Sequence, residues 1–218
     1  MKKEFIFIGP PGSGKGTQTK MLSKELNLPH IDTGSLLRAE IASNSEEGKL
    51  AASFINKGNL VPAELVSKII ENRLMQSDCN SGFILDGYPR SKEQAYALDE
   101  ILKKIDSNKT ASLQVFYFKV SEEKLIERLV NRRTCSKCGA ILNLKTMNLK
   151  DETKCNLCGG ELTQRADDTE EIAKKRFKTY FEETAPLIEL YENRGLLTTI
   201  DASCDIETIY KNLKGAIK

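Results

Sequence analysis

The chain has 218 residues, 39% hydrophobic and 29% charged, enough to bury about 70% of its unfolded surface in a core of its own, and this balance argues against disorder. Thirty-three Lys and Arg against 31 Asp and Glu leave a net charge of +2, so no global field draws it to nucleic acid or an anionic membrane. A single histidine, His30, excludes a Cys2His2 finger and any multi-histidine metal site.

The first predicted strand, residues 4–8, is too short an apolar run for a signal peptide, and Gly9-Pro10-Pro11-Gly12 stops it. No stretch is long and apolar enough to span a membrane. The expectation is a cytoplasmic protein, in which cysteines serve as ligands or buried thiols rather than disulfides. Further strands are predicted at 29–32, 82–86, 113–119 and 196–201. Between them run helical patterns. Ser91 with Gln94 makes a capping box for a helix over 91–106. Ser121 and two Glu open a helix over 121–132. Asp168 with Glu171 opens a long helix to about 193, with Ala173, Phe177 and Phe181 on one face. Alternating β and α predicts a parallel sheet with helices on both faces. Residues 33–61 and 134–165 break the rhythm. The second segment has only Ile141, Leu142, Leu144, Met147, Leu149, Leu157 and Leu162 as large apolar side chains, so both read as insertions carried by the sheet.

Gly9-Pro10-Pro11-Gly12-Ser13-Gly14-Lys15-Gly16-Thr17 lies between a predicted strand and a helix. Its glycines let backbone N–H groups turn inward, the helix start adds a positive dipole end, and Lys15 adds a mobile charge. Together they suit the phosphates of a nucleoside triphosphate. Gly16 stands where such loops usually place a Ser or Thr on magnesium, so that ion is expected to be held mainly by phosphate and water. Cys135-x2-Cys138 and Cys155-x2-Cys158, sixteen residues apart, read as a closed four-thiolate Zn²⁺ site of structural kind. A redox pair is the alternative. Cys79 and Cys204 remain as buried or free thiols.

This loop resembles that of nucleoside monophosphate kinases, the adenylate kinases above all. Asp32-Thr33-Gly34-Ser35-Leu36-Leu37-Arg38 resembles the family's T-G-x-x-[LM]-R element, and Asp86-Gly87-Tyr88-Pro89-Arg90 its D-G-[FY]-P-R element, with Gln94 at the matching offset. Arg165-x-Asp167-Asp168 and Arg176 match R-x-D-D…R. The resemblance runs from about residue 4 to 212. It implies a P-loop NTPase-type five-stranded α/β fold in three parts. These are a core (1–31, 62–130, 169–218), a small helical AMP-binding domain (32–61) and a zinc-bearing lid (131–168). The implied reaction is ATP + AMP ⇌ 2 ADP with Mg²⁺, by a monomer with nucleotides as its partners.

By the same resemblance Lys15, Arg90, Arg132, Arg165 and Arg176 are catalytic. ATP is expected on Gly12, Ser13, Gly14, Lys15, Gly16, Thr17, Arg128, Arg132, Ile141, Leu142 and Cys204. AMP is expected on Thr33, Arg38, Asn59, Leu60, Val61, Gly87, Tyr88, Pro89, Arg90, Gln94, Arg165 and Arg176. Asp86 resembles the acid that orders water around magnesium. Arginine suits these tasks because its planar fork pairs phosphate oxygens bidentately. For each arginine the bland alternative is a solvated helix charge, and for Gln94 a purely capping role. His30 is expected to be structural rather than catalytic. Rival readings are a GTP:AMP kinase, a UMP/CMP kinase, and an ATPase fused to a nucleic-acid-binding ribbon. The last is weakened because no aromatic residue lies between Cys135 and Cys158.

Overall fold

The computed structural model describes residues 2–106, 111–145 and 151–218. Met147 and Leu149, counted above among the apolar side chains of the second insertion, lie outside the described residues. Five strands form one parallel sheet: β1 (Lys3–Ile8), β2 (His30–Asp32), β3 (Gly82–Asp86), β4 (Ser112–Lys119) and, last in the chain, the strand Leu197–Asp201. That strand is β8, and the spatial order is β2-β3-β1-β4-β8. The strand alternation sorts the core into two layers. Phe5 and Phe7 of β1, Ile84 of β3 and Phe116 and Phe118 of β4 share one face. They meet Leu22 of α1 (Lys15–Leu26) and Ile209 and Leu213 of α9 (Ile206–Gly215). Ile6, Ile8, Phe83, Leu85 and Val115 share the other face. There they pack on α4 (Ala63–Leu74), α5 (Lys92–Ile105) and α8 (Pro186–Asn193). The chain is thus α/β with a five-stranded parallel sheet covered on both faces, as its strand–helix alternation predicts.

The remaining elements crowd the carboxyl ends of the strands. Two short helices, α2 (Thr33–Ala42) and α3 (Glu46–Ile55), follow β2. After α6 (Glu122–Val130) come β5 (Arg132–Cys135), β6 (Ile141–Asn143) and β7 (Leu162–Thr163), a small antiparallel sheet in the order β6-β5-β7. The helix expected to run to residue 132 therefore stops at Val130, because Arg132 and Arg133 pair with Asn143 and Leu142 in that sheet.

The long helix expected from Asp168 departs in two ways. Its cap is Thr169, whose side chain accepts from the Ile172 N–H. Asp168 is wholly buried and is taken up by Arg132 and Arg176, so it is not free to cap. The helix is also interrupted. α7 (Glu170–Thr179) passes into a π-turn at Tyr180–Thr184 before α8 begins at Pro186. A π-turn holds one residue more than an α-turn and so resets the helix phase. Ala173 and Phe177 face inward as expected, but Tyr180 takes the next buried position and Phe181 is 51% exposed.

Candidate active site

One cleft of about 590 Å³ opens at the carboxyl ends of β1, β2 and β3, where ligands bind in open α/β sheets. Its floor is the turn from β1 to α1. Gly12 sits at φ 81° with its Cα hydrogen side facing α6, and a Cβ there would lie 2.9 Å from the Leu125 carbonyl oxygen. The Gly14 cap of α1 offers no side-chain acceptor, so the helix opens into the cleft on bare backbone N–H groups. Lys15 folds over the loop, with Nζ donating to Gly9 O at 2.5 Å, Pro10 O at 3.0 Å and Ser13 Oγ at 3.1 Å. Burial pushes its ammonium down to about 8, opposed by the Asp86 carboxylate.

Asp86 closes β3 beside this loop. Burial disfavours its carboxylate, but His30, Lys15 and Thr19 outweigh that and hold it below the ordinary range. Thr19 Oγ1 reaches Asp86 Oδ2 at 3.2 Å, and His30 Nε2 lies 3.3 Å from the same oxygen and 2.9 Å from Thr19 Oγ1. His30 thus supports Asp86 from behind, in keeping with a structural role.

Arg38, Arg90, Arg132, Arg165 and Arg176 all line the cleft, brought there from five separate elements or loops. Arg132 and Asp168 form a fork, Nε to Oδ2 at 2.7 Å and Nη2 to Oδ1 at 2.5 Å. Arg176 Nη1 holds Asp167 Oδ2 at 2.8 Å and Asp168 Oδ1 at 3.1 Å. Arg165 donates to Thr134 Oγ1 at 3.2 Å; burial and the neighbouring Arg132 and Arg38 charges push it down to about 10. Arg90 is clamped along its backbone: its N–H meets Gln94 Oε1 and its carbonyl meets the Thr184 hydroxyl, both at 2.7 Å. Burial lowers the pKa of Arg90 and Arg176 as well. Five guanidinium groups and the Lys15 ammonium converging on one cleft are electrostatically fitted to a polyanion, even with Arg38, Arg132 and Arg176 partly paired to carboxylates.

The other residues singled out from the sequence fall as follows. Gly12, Ser13, Gly14, Gly16, Thr17, Arg128, Ile141, Leu142, Cys204, Thr33, Asn59, Leu60, Val61, Gly87, Pro89 and Gln94 line the same cleft. Tyr88 is the exception. It is wholly buried in the core, with its hydroxyl 2.8 Å from Ser67 Oγ and donating to Gln94 O at 3.1 Å, and does not line the cleft. Leu142 is 2% exposed and packs mainly with Cys135, Cys155 and Leu162. Thr33 Oγ1 is buried with no hydrogen-bond partner among the described residues. The Gln94 N–H is capped by Ser91 Oγ at 3.2 Å, and the residue lines the cleft. The expected reciprocal bond of the capping box is absent, since Oε1 is engaged by Arg90. Asp32, Gln18, Tyr180, Thr184, Asp205 and Ile206 also line the cleft and carry no sequence signal beyond adjacency to motifs or, for Tyr180 and Thr184, none.

The chain matches the family model for adenylate kinase over residues 7–196. It is 46% identical over 214 residues to adenylate kinase of Thermosipho melanesiensis, covering 98% of this chain and 99% of that one. It is 45% identical to adenylate kinase of Archaeoglobus fulgidus and 42% identical to that of Clostridium tetani, covering 98% of this chain and 97% of theirs in both cases. The chain belongs to the adenylate kinase family. Adenylate kinases are phosphotransferases that use Mg²⁺ with ATP, and a cleft uniting a phosphate loop with converging arginines is what such a reaction requires.

This adenylate kinase also carries the two cysteine dyads in one cluster. The four Sγ atoms of Cys135, Cys138, Cys155 and Cys158 lie within 4.8 Å of one another. Two edges, Cys135–Cys158 and Cys138–Cys155, measure 3.5 and 3.8 Å. A tetrahedron with metal–sulfur bonds of about 2.3 Å has edges of about 3.8 Å. The Cys138 and Lys137 N–H groups pull the Cys135 thiol down to about 6, while, against the Gly160 N–H, hydrogen bonds with the neighbouring thiols push Cys158 up to about 12. The cluster is compatible with zinc. Across from it, Lys20 Nζ of α1 donates to Gly139 O at 2.8 Å, joining the first cysteine turn to the helix of the phosphate loop.

Proposed function

We propose that this chain transfers the terminal phosphoryl group of Mg-ATP to AMP, giving two ADP, with each nucleotide in its own half of the cleft. The observation that carries this reading is the convergence of five arginines and Lys15 on one pocket. In-line phosphoryl transfer needs two nucleotides aligned, spreading charge neutralised and water kept out. On this reading Gly12–Thr17 and Lys15 cradle the donor phosphates, with Arg128, Ile141, Leu142 and Cys204 beside the donor base. Mg²⁺ would supply charge neutralisation at the donor phosphates, and Asp86, buried and braced by Thr19 and His30, would hold its water shell. Arg132, Arg165 and Arg176 surround the transferring group. Arg38 and Arg90 receive the acceptor phosphate.

Thr33, Asn59, Leu60, Val61, Gly87, Pro89 and Gln94 enclose the acceptor base. Gln94 Oε1 accepts from the Arg90 N–H, which fixes the amide's orientation, and its NH₂ can donate to adenine N1. Guanine and uracil present an N–H at the matching edge, and the clash of two donors penalises them. The zinc cluster is assigned a structural role in a lid of residues 131–168, with 32–61 as the acceptor domain and 1–31, 62–130 and 169–218 as the core. A monomer acting in the cytoplasm completes the reading; no helix among the described residues is long and apolar enough to cross a membrane. The test is a coupled assay comparing ATP with GTP as donors and AMP, UMP, CMP and GMP as acceptors. AMP is expected to be preferred; equal turnover with UMP or GMP overturns the acceptor assignment.

A further inference from the structure

The acceptor half of the cleft holds a carboxylate that this reading leaves unused. Asp32 ends β2 and lines the cleft. Its Oδ1 caps α2 by accepting from the Gly34 N–H at 3.0 Å. Its Oδ2 accepts from the Ser35 hydroxyl and lies 3.4 Å from Arg38 Nη2. Arg38 is therefore folded back over the first turn of its own helix, where it also donates to Ser35 Oγ at 3.1 Å. The space for that fold comes from Gly34: a Cβ there would stand 3.0 Å from Arg38 Nη1. The same carboxylate also acts on Arg90 and Arg165, favouring their charged forms against burial. The other acids of the phosphate region are taken elsewhere, Asp86 by Thr19 and His30, and Asp167 by Arg176.

We propose that Asp32 sets the affinity of the acceptor site by holding Arg38 as an internal stand-in for a phosphomonoester dianion. The inference rests on the reading of Arg38 and Arg90 as the residues that receive the acceptor phosphate. A carboxylate and a phosphate offer the guanidinium fork the same chemistry, acceptor oxygens bearing negative charge. The incoming phosphate must release Arg38 from Asp32 and then lie near a like charge. Both effects weaken binding relative to a cradle with a neutral residue at this position. The Arg38 and Asp32 side chains are 41% and 27% exposed, so solvent screens the contact and the expected factor is about fivefold rather than thousands.

Asp32→Asn isolates the charge, because the amide oxygen still caps the Gly34 N–H. Calorimetry is expected to show AMP binding about fivefold more tightly to the variant. KM for AMP is expected to fall in parallel, while KM for ATP moves less than twofold. The gap between variant and wild type is expected to close in about 1 M salt, where charges are screened beyond roughly 3 Å. Asp32→Ser, which also retains a capping oxygen, is expected to reproduce the effect and serves if the first variant folds poorly. Unchanged or weaker AMP binding in folded variants overturns the inference, since Asp32 would then align Arg38 rather than compete for it. That failure leaves wild-type AMP binding intact, whereas a wild type that binds no AMP overturns the functional reading itself.

Discussion

Lys15 shows how a single charge is made conditional. Its ammonium is spent on two carbonyls and a hydroxyl of its own loop, bonds that a donor phosphate is expected to replace. Replacing it with Met removes the charge that stabilises oxygens gaining charge in the transition state. Lys15→Met is expected to retain less than about a tenth of wild-type turnover with an unchanged fold, read by steady-state kinetics alongside circular dichroism. Its pKa of about 8 adds a pH dependence. On the proposed reading the cationic form binds phosphate, so kcat/KM for ATP is expected to fall above pH 8, approaching tenfold per pH unit. The kcat profile is expected to extend to higher pH, because bound phosphates favour the ammonium. A flat kcat/KM profile through that range overturns the assignment. Stability moves the opposite way. The folded pKa lies below the ordinary 10.5, so the unfolded chain binds more protons in that window, and this group adds stability as pH rises from about 8 to 10.5.

At the scale of the element, the π-turn after α7 explains a side-chain placement that helical periodicity misassigns. Phe177 is 3% exposed and packs with Leu125, Leu129 and Ala173, whereas Phe181, one regular turn further on, faces solvent. The reset also carries Thr184 to the Arg90 carbonyl. Thermal or denaturant unfolding is expected to show Phe177→Ala losing about 3–5 kcal/mol and Phe181→Ala changing stability by less than about 0.5 kcal/mol. Comparable losses at both positions are the result expected of an uninterrupted helix and contradict the turn. The neighbouring acid has a similar logic: Asp168 is wholly buried between two arginines. Asp168→Ala leaves both without that partner, and a cost of about 3 kcal/mol or more is expected in the same measurement.

Across the whole molecule, stability is unevenly shared. The main sheet has two apolar layers, while the small antiparallel sheet has a cluster of Cys135, Leu142, Cys155 and Leu162, two of which are dyad thiols. Modules below about 40 residues rarely hold together without metal or disulfides, and metal binding free energy there becomes folding free energy. Metal analysis is expected to find zinc bound. Cys155→Ser is expected to lower the melting temperature and loosen residues 131–168 first, as read by hydrogen exchange. At low temperature it is expected to lose less activity than substitutions of Arg132 or Arg165, which line the cleft. Absence of zinc from the wild type removes the site, and complete inactivity of a folded variant contradicts a purely structural role.

Local and contiguous signals were legible without a structure. The alternation of Phe5, Ile6, Phe7 and Ile8, the glycine-rich turn after it and the paired dyads each encode their geometry within a few residues, because strand period, turn conformation and ligand spacing are short-range properties. They determined the fold class, the phosphate loop and the thiol cluster. Tertiary structure alone decided which charges are shared. Asp168 reads as a cap and is instead a buried counterion, because Arg132 lies 36 residues away in sequence but at 2.5 Å in space. Tyr88 belongs to a binding motif yet turns into the core, because Ser67 and the Gln94 carbonyl satisfy its hydroxyl there. Thr184 meets Arg90 across 94 positions. Such pairings depend on how distant segments pack, and long-range packing leaves no periodic trace in the chain.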